Sequence, residues 1–239
     1  MVSNLFPLTA RSAETKRSGI RLIGPINLTL AGQGISVVIG PNGSGKTTLL
    51  RLLHGTARVT QGRIDWAIPT EEAIKEQSFV FQRPVMLRRS IIDNLIYPLR
   101  VRGVPKSEAK DRAMIWAKRL GLDDFTDRYA PSLSGGEQQK LSLARALITD
   151  PKLVFLDEPC ASLDARAMKE IEAILIDERA KGTQFIMSTH DMGQARRLAD
   201  DVVFMLGGQV HEHRAASDFF TRPNTPQAQA FLSGDIVEP

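Results

Sequence analysis

Gly40-Pro-Asn-Gly-Ser-Gly-Lys-Thr47 matches the pattern G-x-x-x-x-G-K-[ST] at every fixed position. An apolar run that predicts a strand, Ile35-Ser-Val-Val-Ile39, comes directly before it, and Thr48-Leu-Leu-Arg-Leu-Leu53 continues it as a predicted helix. Strand, loop and helix in this order form the context in which the pattern binds the phosphates of a nucleoside triphosphate. We therefore predict a phosphate-binding loop rather than a flexible glycine-rich loop that matches by chance.

Each residue type in this loop has a chemical role. Glycine lacks a Cβ, so the backbone can curl around a phosphate and direct its N–H groups inward, at the positive end of the following helix. Lys46 is predicted to contact the outer phosphates as a point charge, and the Thr47 hydroxyl to bind Mg²⁺. The predicted nucleotide-binding residues are Gly40, Pro41, Asn42, Gly43, Ser44, Gly45, Lys46, Thr47 and Thr48.

A second apolar run, Leu153-Val-Phe-Leu156, ends in two carboxylates, Asp157 and Glu158. The run predicts a buried strand, which we expect to lie beside the strand over 35–39. In a phosphoryl-transfer site, Asp157 would reach Mg²⁺ through water and Glu158 would face the attacking water. In the alternative interpretation, the two acids only cap a turn before Pro159.

Four other motifs surround this acidic segment. Leu133-Ser-Gly-Gly-Glu-Gln138 predicts a helix start with Ser134 as its N-cap, and bare glycines at a helix start also suit an anion. Val80-Phe-Gln-Arg-Pro84 precedes it, while Ala161-Ser-Leu-Asp164 and Ser188-Thr-His-Asp191 follow. With the phosphate loop, these motifs resemble in identity and order those of the ATP-binding cassette (ABC) family, from about residue 20 to residue 208.

The resemblance implies an α/β fold: a P-loop NTPase (RecA-like) core with an antiparallel β subdomain and an inserted α-helical subdomain. We expect one nucleotide-binding domain over residues 1–239, with the core and β subdomain at about 1–85 and 150–239 and the helical subdomain at about 86–149. ATP and Mg²⁺ are the implied ligands. The implied active unit is a homodimer of two cassettes packed head to tail.

The resemblance also implies roles for individual residues. Glu158 is expected to activate the water, His190 to contact the γ-phosphate and orient Glu158, and Gln82 to sense Mg²⁺. The loop that contains Asp164 is expected to join the two sites of the dimer. The residues expected on the ATP of the partner cassette are Ser134, Gly135, Gly136, Glu137 and Gln138, and those expected at Mg²⁺ are Thr47, Gln82 and Asp157.

Length and composition agree with one nucleotide-binding unit. The 239 residues, 42% of them hydrophobic and 24% charged, suffice for a sizeable core. No run of about eighteen apolar residues occurs, and the start of the chain lacks the charged and apolar regions of a secretion signal. The single Cys160 cannot form an internal disulfide, so we expect a reducing compartment and a thiol that only fills space.

A net charge of +4 and a pI near 9.4 suit either nucleic acid or an anionic membrane surface. The basic residues are scattered, however, and we do not expect nucleic acid as a partner. One concentration follows Gln82 and is either a solvated face or, as the resemblance implies, the surface that receives a helix of the membrane permease. It consists of Arg83, Arg88, Arg89, Arg100 and Arg102.

Two functions agree with the resemblance. The first is the ATPase subunit of a membrane importer, bound at the cytoplasmic face of the membrane to permease subunits and served indirectly by an extracytoplasmic solute-binding protein. The second is a soluble cassette ATPase that acts on nucleic acid or ribosomes, a class that usually has a coiled-coil insert or a second cassette, neither of which this sequence shows. A regulatory module that never hydrolyses ATP is disfavoured because Glu158 and His190 are both present.

The solute is indicated only by short stretches. Asp218-Phe-Phe-Thr-Arg-Pro223 and Gln229-Ala-Phe-Leu-Ser-Gly-Asp235 are similar to the ends of tungstate-type oxyanion importers. Asp157-Glu-Pro-Cys160 is also similar to phosphate importers, and amino acids stay open as an alternative. Because few residues follow Asp235, we do not expect the extra barrel domain of sugar and molybdate importers.

One stretch departs from the family pattern. Family members usually stack an aromatic ring on adenine from a strand about two dozen positions before the phosphate loop. Thr15-Lys-Arg-Ser-Gly19 occupies that stretch here, with no Phe, Tyr or Trp between Pro7 and the loop. We expect loose recognition of adenine, with the planar guanidinium of Arg17 as a partial substitute.

Capping and turn signals predict the remaining elements. Ser90 is predicted to cap a helix through Leu99, and Ser107 a second helix that ends at Gly121. Short strands are predicted over 20–30, and further strands over 62–66 and 201–211. Two short helices separated by a proline-containing linker are predicted after residue 215.

Overall fold

The computed structural model describes residues 4–161, 163–235 and 237, which form two β-sheets and the helices around them. Residues 1–3, at the start of the chain, and Ser162, in the predicted segment Ala161-Ser-Leu-Asp164, lie outside the described residues. The strands are β1 (Leu8–Arg17), β2 (Ile20–Leu30), β3 (Ile35–Ile39), β4 (Gln61–Asp65), β5 (Gln77–Val80), β6 (Leu153–Asp157), β7 (Gln184–Ser188), β8 (Asp201–Leu206) and β9 (Gln209–Ala215). The α-helices are α1 (Lys46–His54), α2 (Thr70–Lys75), α3 (Ile91–Val101), α4 (Lys106–Arg119), α5 (Gly135–Leu147), α6 (Ala165–Ala180), α7 (Met192–Leu198), α8 (Ala216–Thr221) and α9 (Pro226–Ser233).

The central sheet has six strands in the order β5-β6-β7-β3-β8-β9. All neighbours pair in parallel except β8 and β9. The strands β3, β6 and β7 are buried along their whole length, and their continuous apolar runs are typical of parallel strands covered on both faces. The strands predicted over 35–39 and 153–156 are confirmed, and the carboxyl ends of all three strands lie at one edge of the sheet.

The prediction that β6 lies beside β3 is wrong. The strand β7 lies between them, and its Met187 is in register with Val37 on one side and Leu156 on the other. An apolar run shows that a strand is buried on both faces, but it contains no information about which strand is its neighbour. The order of the strands therefore comes from the tertiary structure.

A second, antiparallel sheet has the order β2-β1-β4. The sequence pattern does not predict β1, whose residues include few large apolar side chains. The segment over 20–30 forms one strand of eleven residues rather than the short strands predicted. Its pairing with β1 contains register shifts, and such bulges let a strand bend and continue.

Alternate residues of the central strands enter two apolar clusters on opposite faces of the sheet. Val37 and Val154 belong to one cluster, which includes buried residues of α3, α4 and α5. Val38 and Phe155 belong to the other, which includes buried residues of α1 and of the antiparallel sheet. The central sheet thus separates the helices α3 to α5 from the antiparallel sheet.

The helix starts agree with the predictions in one case and differ in another. The α3 cap is confirmed, because Ser90 Oγ accepts a hydrogen bond from the N–H of Asp93 (3.2 Å). The predicted cap at Ser107 is wrong, since α4 begins after Pro105 and Ser107 lies in its first turn. Proline suits this boundary because its ring fixes φ, here −54°, at a value that leads into a helix. The six residues of α2 are too few to show a helical period, and the sequence pattern does not predict it.

His54, the last residue of α1, packs between two aromatic rings. The centroid of its imidazole lies 5.2 Å from that of Phe79 and 5.3 Å from that of Phe155, both in edge-to-face contact. Its Nδ1 is buried and has no hydrogen-bond partner among the described residues. Burial lowers the pKa of the imidazole below its ordinary value of 6.5, so the folded protein favours neutral His54.

We expect the free energy of unfolding to fall as the pH drops below 6.5, because the unfolded chain then binds a proton that folded His54 resists. This contribution is fully present above the unfolded pKa and is lost as the pH falls towards the lower folded pKa. One such group can give a slope of up to about 1.4 kcal/mol per pH unit. Urea unfolding of the wild type and of His54→Leu on both sides of this pH measures the effect, and an unchanged slope in the variant would contradict it.

Candidate nucleotide-binding site

The loop between β3 and α1 requires glycine at two positions. Gly40 has φ 148° and Gly45 has φ 99°, both in the region that favours glycine. A Cβ at Gly40 would overlap the carbonyl oxygen of Met205, and one at Gly45 would overlap Cγ2 of Ile23. The loop therefore closes tightly on β8 and β2 on its inner side, and the first amides of α1, like those of any helix, have no acceptor within the helix.

Lys46, the first residue of α1, is a buried cation without an ion pair among the described residues. Only 6% of the residue is exposed, and its Nζ donates hydrogen bonds to the carbonyl oxygens of Gly40 (2.9 Å) and Pro41 (3.1 Å). Burial lowers the pKa of this ammonium, an effect that the charges of Glu158 and Asp157 partly offset. An ammonium in this position is electrostatically suited to an anion that would replace the two carbonyls.

Asp157, at the end of β6, is fixed by two hydroxyl groups. Its Oδ1 accepts hydrogen bonds from Thr47 Oγ1 (2.8 Å) and Ser188 Oγ (2.9 Å), whereas its Oδ2 has no protein partner in the described structure. Ser188, the last residue of β7, is a site residue that the sequence analysis missed. The signal that could have found it is a hydroxyl at a strand end two residues before His190.

Glu158 lies at a sharp turn after β6, with φ 45°. Its N–H donates to the side-chain and backbone oxygens of Ser188 (3.0 and 3.1 Å), which holds the turn against β7. Its Oε2 accepts a hydrogen bond from Gln82 Nε2 (3.0 Å) and lies 3.1 Å from His190 Nδ1. Because a carboxylate oxygen accepts, Nδ1 of His190 is the donor in this contact.

Lys46, Glu158 and His190 face one cleft of about 530 Å³. Four segments that are distant in the sequence meet there: the phosphate loop, the Gln82 segment, the end of β6 and the end of β7. Most of the predicted nucleotide-binding and catalytic residues thus come together in one chain. The residues that line the cleft are Asn42, Gly43, Gly45, Lys46, Thr47, Thr48, Gln82, Glu158 and His190.

The arrangement fits both a triphosphate and Mg²⁺. Ser44 in the loop has a buried hydroxyl without a hydrogen-bond partner among the described residues, and Lys46 supplies an unpaired charge. Mg²⁺ that is bound mainly by phosphate and water needs only one or two protein oxygens. Thr47 Oγ1 and the free Oδ2 of Asp157 are such oxygens, and the Gln82 side chain reaches the same cleft.

The Ser134 motif forms the start of α5, as predicted, with a capping box. Ser134 Oγ accepts from the N–H of Glu137 (3.3 Å), and the Glu137 carboxylate accepts from the N–H of Ser134 (2.8 Å). Hydrogen bonds from the Ser134 hydroxyl and then its N–H lower the pKa of Glu137. Gln138 instead turns to the backbone, where its Nε2 donates to the carbonyl oxygens of Pro131 (3.2 Å) and Leu133 (2.9 Å).

A second cleft, of about 460 Å³, contains the Ser134 motif and Asp164. Asp164 caps α6, since its Oδ1 accepts from the N–H of Ala167 (2.7 Å). Among the residues that the structure describes, none lines both this cleft and the Lys46 cleft. The structure therefore does not bring the motif to the phosphate loop of its own chain. The predicted residues in the second cleft are Ser134, Gly135, Gly136, Glu137 and Asp164.

Cys160 lies beside the catalytic segment without facing either of these clefts. It is buried, and burial raises the pKa of its thiol to about 11. A thiol with this pKa is almost entirely protonated at neutral pH and is a poor nucleophile. These properties agree with the prediction of a space-filling side chain.

The hairpin of β1 and β2 lies against the phosphate loop. The N–H of Gly24 donates to the carbonyl of Gly208 (2.8 Å), and the N–H of Gly208 donates to the carbonyl of Ser44 (3.1 Å). Arg17 is exposed at the end of β1, in register with Ile20. Ile20 (70% exposed) and Leu22 add aliphatic surface at this tip, a feature that the sequence analysis missed.

Comparison with known proteins agrees with this geometry. The model of the ABC transporter family matches residues 23–161. The chain is 37% identical to the tungstate uptake ATP-binding protein TupC of Peptoclostridium acidaminophilum, over 89% of this chain and 99% of that protein. It is 36% identical to the glutamate transport ATP-binding protein GluA of Corynebacterium efficiens and 33% identical to the glutamine transport ATP-binding protein GlnQ of Geobacillus stearothermophilus, each over 87% of this chain and 90% of that protein.

Solved structures agree with the fold. An ATP-binding subunit of an ABC transporter superposes with a TM-score of 0.82 at 20% identity, over 95% of this chain and 100% of that one. CbiO1 of Clostridium perfringens, part of the ABC transporter complex CbiONQ, superposes with a TM-score of 0.79 at 24% identity, over 91% and 92% of the two chains. The sequence match, the site geometry and the fold lead to one conclusion: the chain belongs to the ABC transporter family and is an ATPase domain of that family.

Proposed function

We propose that this chain is the ATP-hydrolysing subunit of a membrane importer and works as a homodimer on the cytoplasmic face of its permease. One observation carries the catalytic part of the proposal. Glu158 Oε2 contacts both Gln82 and His190 in the cleft that contains Lys46 and Thr47. A carboxylate held by two side chains beside a phosphate-binding loop is the arrangement that hydrolysis of a triphosphate needs.

In this proposal the phosphate loop binds ATP. Lys46 exchanges its two carbonyl partners for phosphate oxygens, and the loop amides and the start of α1 face the phosphates. Mg²⁺ would be held by Thr47, by Asp157 through water and by Gln82, and it supplies positive charge at the phosphate oxygens. The residues assigned to ATP are Gly40, Pro41, Asn42, Gly43, Ser44, Gly45, Lys46, Thr47 and Thr48.

Glu158 is the proposed general base. It accepts the proton of the attacking water, and the positive φ of its turn directs the carboxylate into the cleft. His190 donates from Nδ1 to Glu158, which fixes the carboxylate. For Nε2 to donate to the γ-phosphate as well, the ring must carry a proton on both nitrogens. Gln82 reaches the same oxygen from the loop after β5, so its position depends on the loop that links the core to α3.

The two clefts support a homodimer. Each chain has a phosphate-loop cleft and a separate Ser134 cleft, and neither contains the full set of predicted site residues. Packed head to tail, two copies would place Ser134, Gly135 and Gly136 of one chain on the ATP of the other. Glu137 would hold Ser134 in place through the capping hydrogen bonds, and Gln138 would hold the backbone before Ser134 through its bond to Pro131. The Asp164 loop would lie between the two nucleotide sites.

The surface near Gln82 supports a permease partner. Arg83, Arg88 and Arg89 are exposed in the loop between β5 and α3, beside exposed Phe81 and Val85. Such a mixture of basic and apolar groups suits an amphipathic helix of another protein. Within the described part of the chain, no helix has the length and apolarity needed to cross a bilayer.

The other two arginines of this basic group, Arg100 and Arg102, form hydrogen bonds within the chain. Arg100 donates to the carbonyl of Val104 (2.6 Å), and Arg102 to those of Thr149 (3.2 Å) and Lys75 (3.0 Å). The relatives compared above are named for transport, and none supports the alternative function on nucleic acid or ribosomes.

We assign tungstate or a related oxyanion as the solute. The support is the 37% identity to TupC over 99% of its length, together with the similar chain end. The glutamate and glutamine relatives, at 36% and 33% identity, make an amino acid the second candidate. The solute itself would bind to the permease and to an extracytoplasmic binding protein rather than to this chain.

Glu158→Gln tests the base. The variant keeps the phosphate and Mg²⁺ contacts but cannot accept a proton, so turnover should fall at least about a hundredfold while ATP affinity changes little. ATP should also hold the variant as a dimer in size-exclusion chromatography with light scattering. Glu108→Gln, which replaces an exposed acid on α4, is the control and should hydrolyse ATP like the wild type. Turnover of Glu158→Gln within about twofold of wild type, with the permease present, would remove Glu158 as the base.

The missing aromatic residue predicts weak selection of the base. The contacts assigned to Lys46 and Thr47 are to phosphate and Mg²⁺, so GTP should compete for the site nearly as well as ATP. Arg17→Trp should tighten ATP binding about tenfold, because a base stacked on an aromatic ring gains about 1–3 kcal/mol. Arg11→Trp, at an exposed position further from the hairpin tip, is the control. Competition binding with ATP and GTP is the measurement, and strong preference for ATP in the wild type would show that another residue stacks on adenine.

The solute assignment predicts the ligand of the associated binding protein. Isothermal titration calorimetry on that protein should show tight binding of tungstate and weaker binding of phosphate, because an oxyanion site selects by size and charge. Titration with glutamate and glutamine serves as the comparison. Tight binding of either amino acid would replace the oxyanion with the second candidate and would leave the ATPase assignment intact.

A further inference from the structure

A buried amide connects the loop after Gln82 to the helix of the Ser134 motif. Asn94 lies on α3 and is fully buried. Its Oδ1 accepts hydrogen bonds from the N–H of Leu87 (3.0 Å) and from Arg145 Nη1 (3.2 Å). Its Nδ2 donates to the carbonyl oxygens of Leu87 (3.2 Å) and Ser90 (2.9 Å). Both donors and both acceptor positions of the amide are used, so its orientation is fixed.

Arg145 forms the second half of this connection. It lies on α5, and its Nη2 donates to the carbonyl oxygen of Val85 (2.6 Å) while Nη1 reaches Asn94. Burial lowers the pKa of this guanidinium, and no carboxylate of the described residues forms an ion pair with it. A partly buried arginine that contacts only neutral oxygens is costly, and a planar fork is needed to reach two acceptors on different elements.

Asn94 and Arg145 connect the loop after Gln82 to the helix of the Ser134 motif. Val85 and Leu87 follow Gln82 in the same loop, and Gln82 contacts Glu158. Arg145 belongs to the helix whose first turn contains the Ser134 motif. Helices are stiff over this length, so a movement of Arg145 moves the start of α5.

We propose that Asn94 and Arg145 are positioning residues that make the Gln82 loop and α5 move as one unit. A change at Gln82, when Glu158 and Mg²⁺ engage ATP, is then transmitted to the motif that contacts the partner's nucleotide. Asn94 fixes the loop to α3, and Arg145 fixes both to α5. The inference rests on the proposed function, since it assigns the coupling between the two half-sites that function requires.

A second arginine offers a matched control. Arg102 also connects separate elements, because it binds the carbonyl oxygens of Thr149 and Lys75. Within the described part of the chain, its side chain forms no hydrogen bond with the loop over 82–87 or with α5. Arg102→Met therefore removes a comparable set of contacts between elements and leaves the Asn94 connection in place.

Hydrogen exchange measured by mass spectrometry tests the proposal on the full chain. Without nucleotide, Arg145→Met should raise the exchange rate of the peptide that contains Leu87 by roughly tenfold, because its amide is bonded to Asn94, which loses a partner. Arg102→Met should leave that peptide unchanged. Equal effects of the two variants would show that the connection does not hold the loop, and would overturn the proposal.

The coupling itself is measured with ATP in the Glu158→Gln background, in which ATP stays bound. There, ATP should slow exchange in both the Gln82 loop and the first turns of α5. With Arg145→Met added, the loop should still respond and the response of α5 should fall several-fold. A full response of α5 in this double variant would overturn the proposal.

Arg145→Lys keeps the charge but cannot bridge both acceptors, so it should behave like Arg145→Met and takes its place if that variant does not fold. Wild-type coupling in Arg145→Lys would show that charge alone suffices and would overturn the role of the fork. ATP binding is measured separately by equilibrium dialysis. If Glu158→Gln does not bind ATP, the proposed function is wrong. If Glu158→Gln binds ATP normally but ATP does not slow hydrogen exchange in its α5, only this inference is wrong.

Discussion

The parallel pairing of β6, β7 and β3 is the constraint on which the nucleotide site depends. In this register, Ser188 of β7 lies opposite Val38 of β3 on one side and Asp157 of β6 on the other. Its hydroxyl therefore reaches Asp157, while Thr47, in the first turn of α1, reaches the same oxygen. A buried carboxylate is costly unless it is hydrogen-bonded, so these two hydroxyls make Asp157 stable in this position. A shift by one residue would turn the side chains to the other face and remove the site.

The loop around the phosphates depends on what packs behind it. Gly40 and Gly45 lie directly against β8 and β2, where any larger residue would overlap Met205 or Ile23. The loop is thus packed against strands of both sheets, and this packing restricts the backbone that carries its amides. Preorganised donors of this kind need little rearrangement when an anion binds, which favours the charge that develops during hydrolysis.

The two clefts support the proposal that a single cassette is incomplete. The Lys46 cleft contains the phosphate loop and Glu158, the proposed base, and the Ser134 cleft contains a helix start that suits an anion but no phosphate loop. Within one chain, the Lys46 cleft and the Ser134 cleft are separate and are connected only through the residues that pack between them. The connection through Asn94 and Arg145 passes from the loop of Gln82 to α5, so the two ends of the chain's catalytic machinery meet at a buried, fully hydrogen-bonded amide.

The sequence alone indicated the family, and through that resemblance the fold class. Local patterns predicted the phosphate loop, from a strand, a glycine loop and a helix in series, and they predicted candidate site residues at the apolar run into Asp157 and Glu158 and at the Ser134 cap. Only the tertiary structure decided that β7 separates β6 from β3, that Ser188 binds Asp157, and that Arg145 reaches Asn94 and Val85. Strand order and contacts between distant segments arise from packing, and a local pattern of residues contains no record of which partners packing will select.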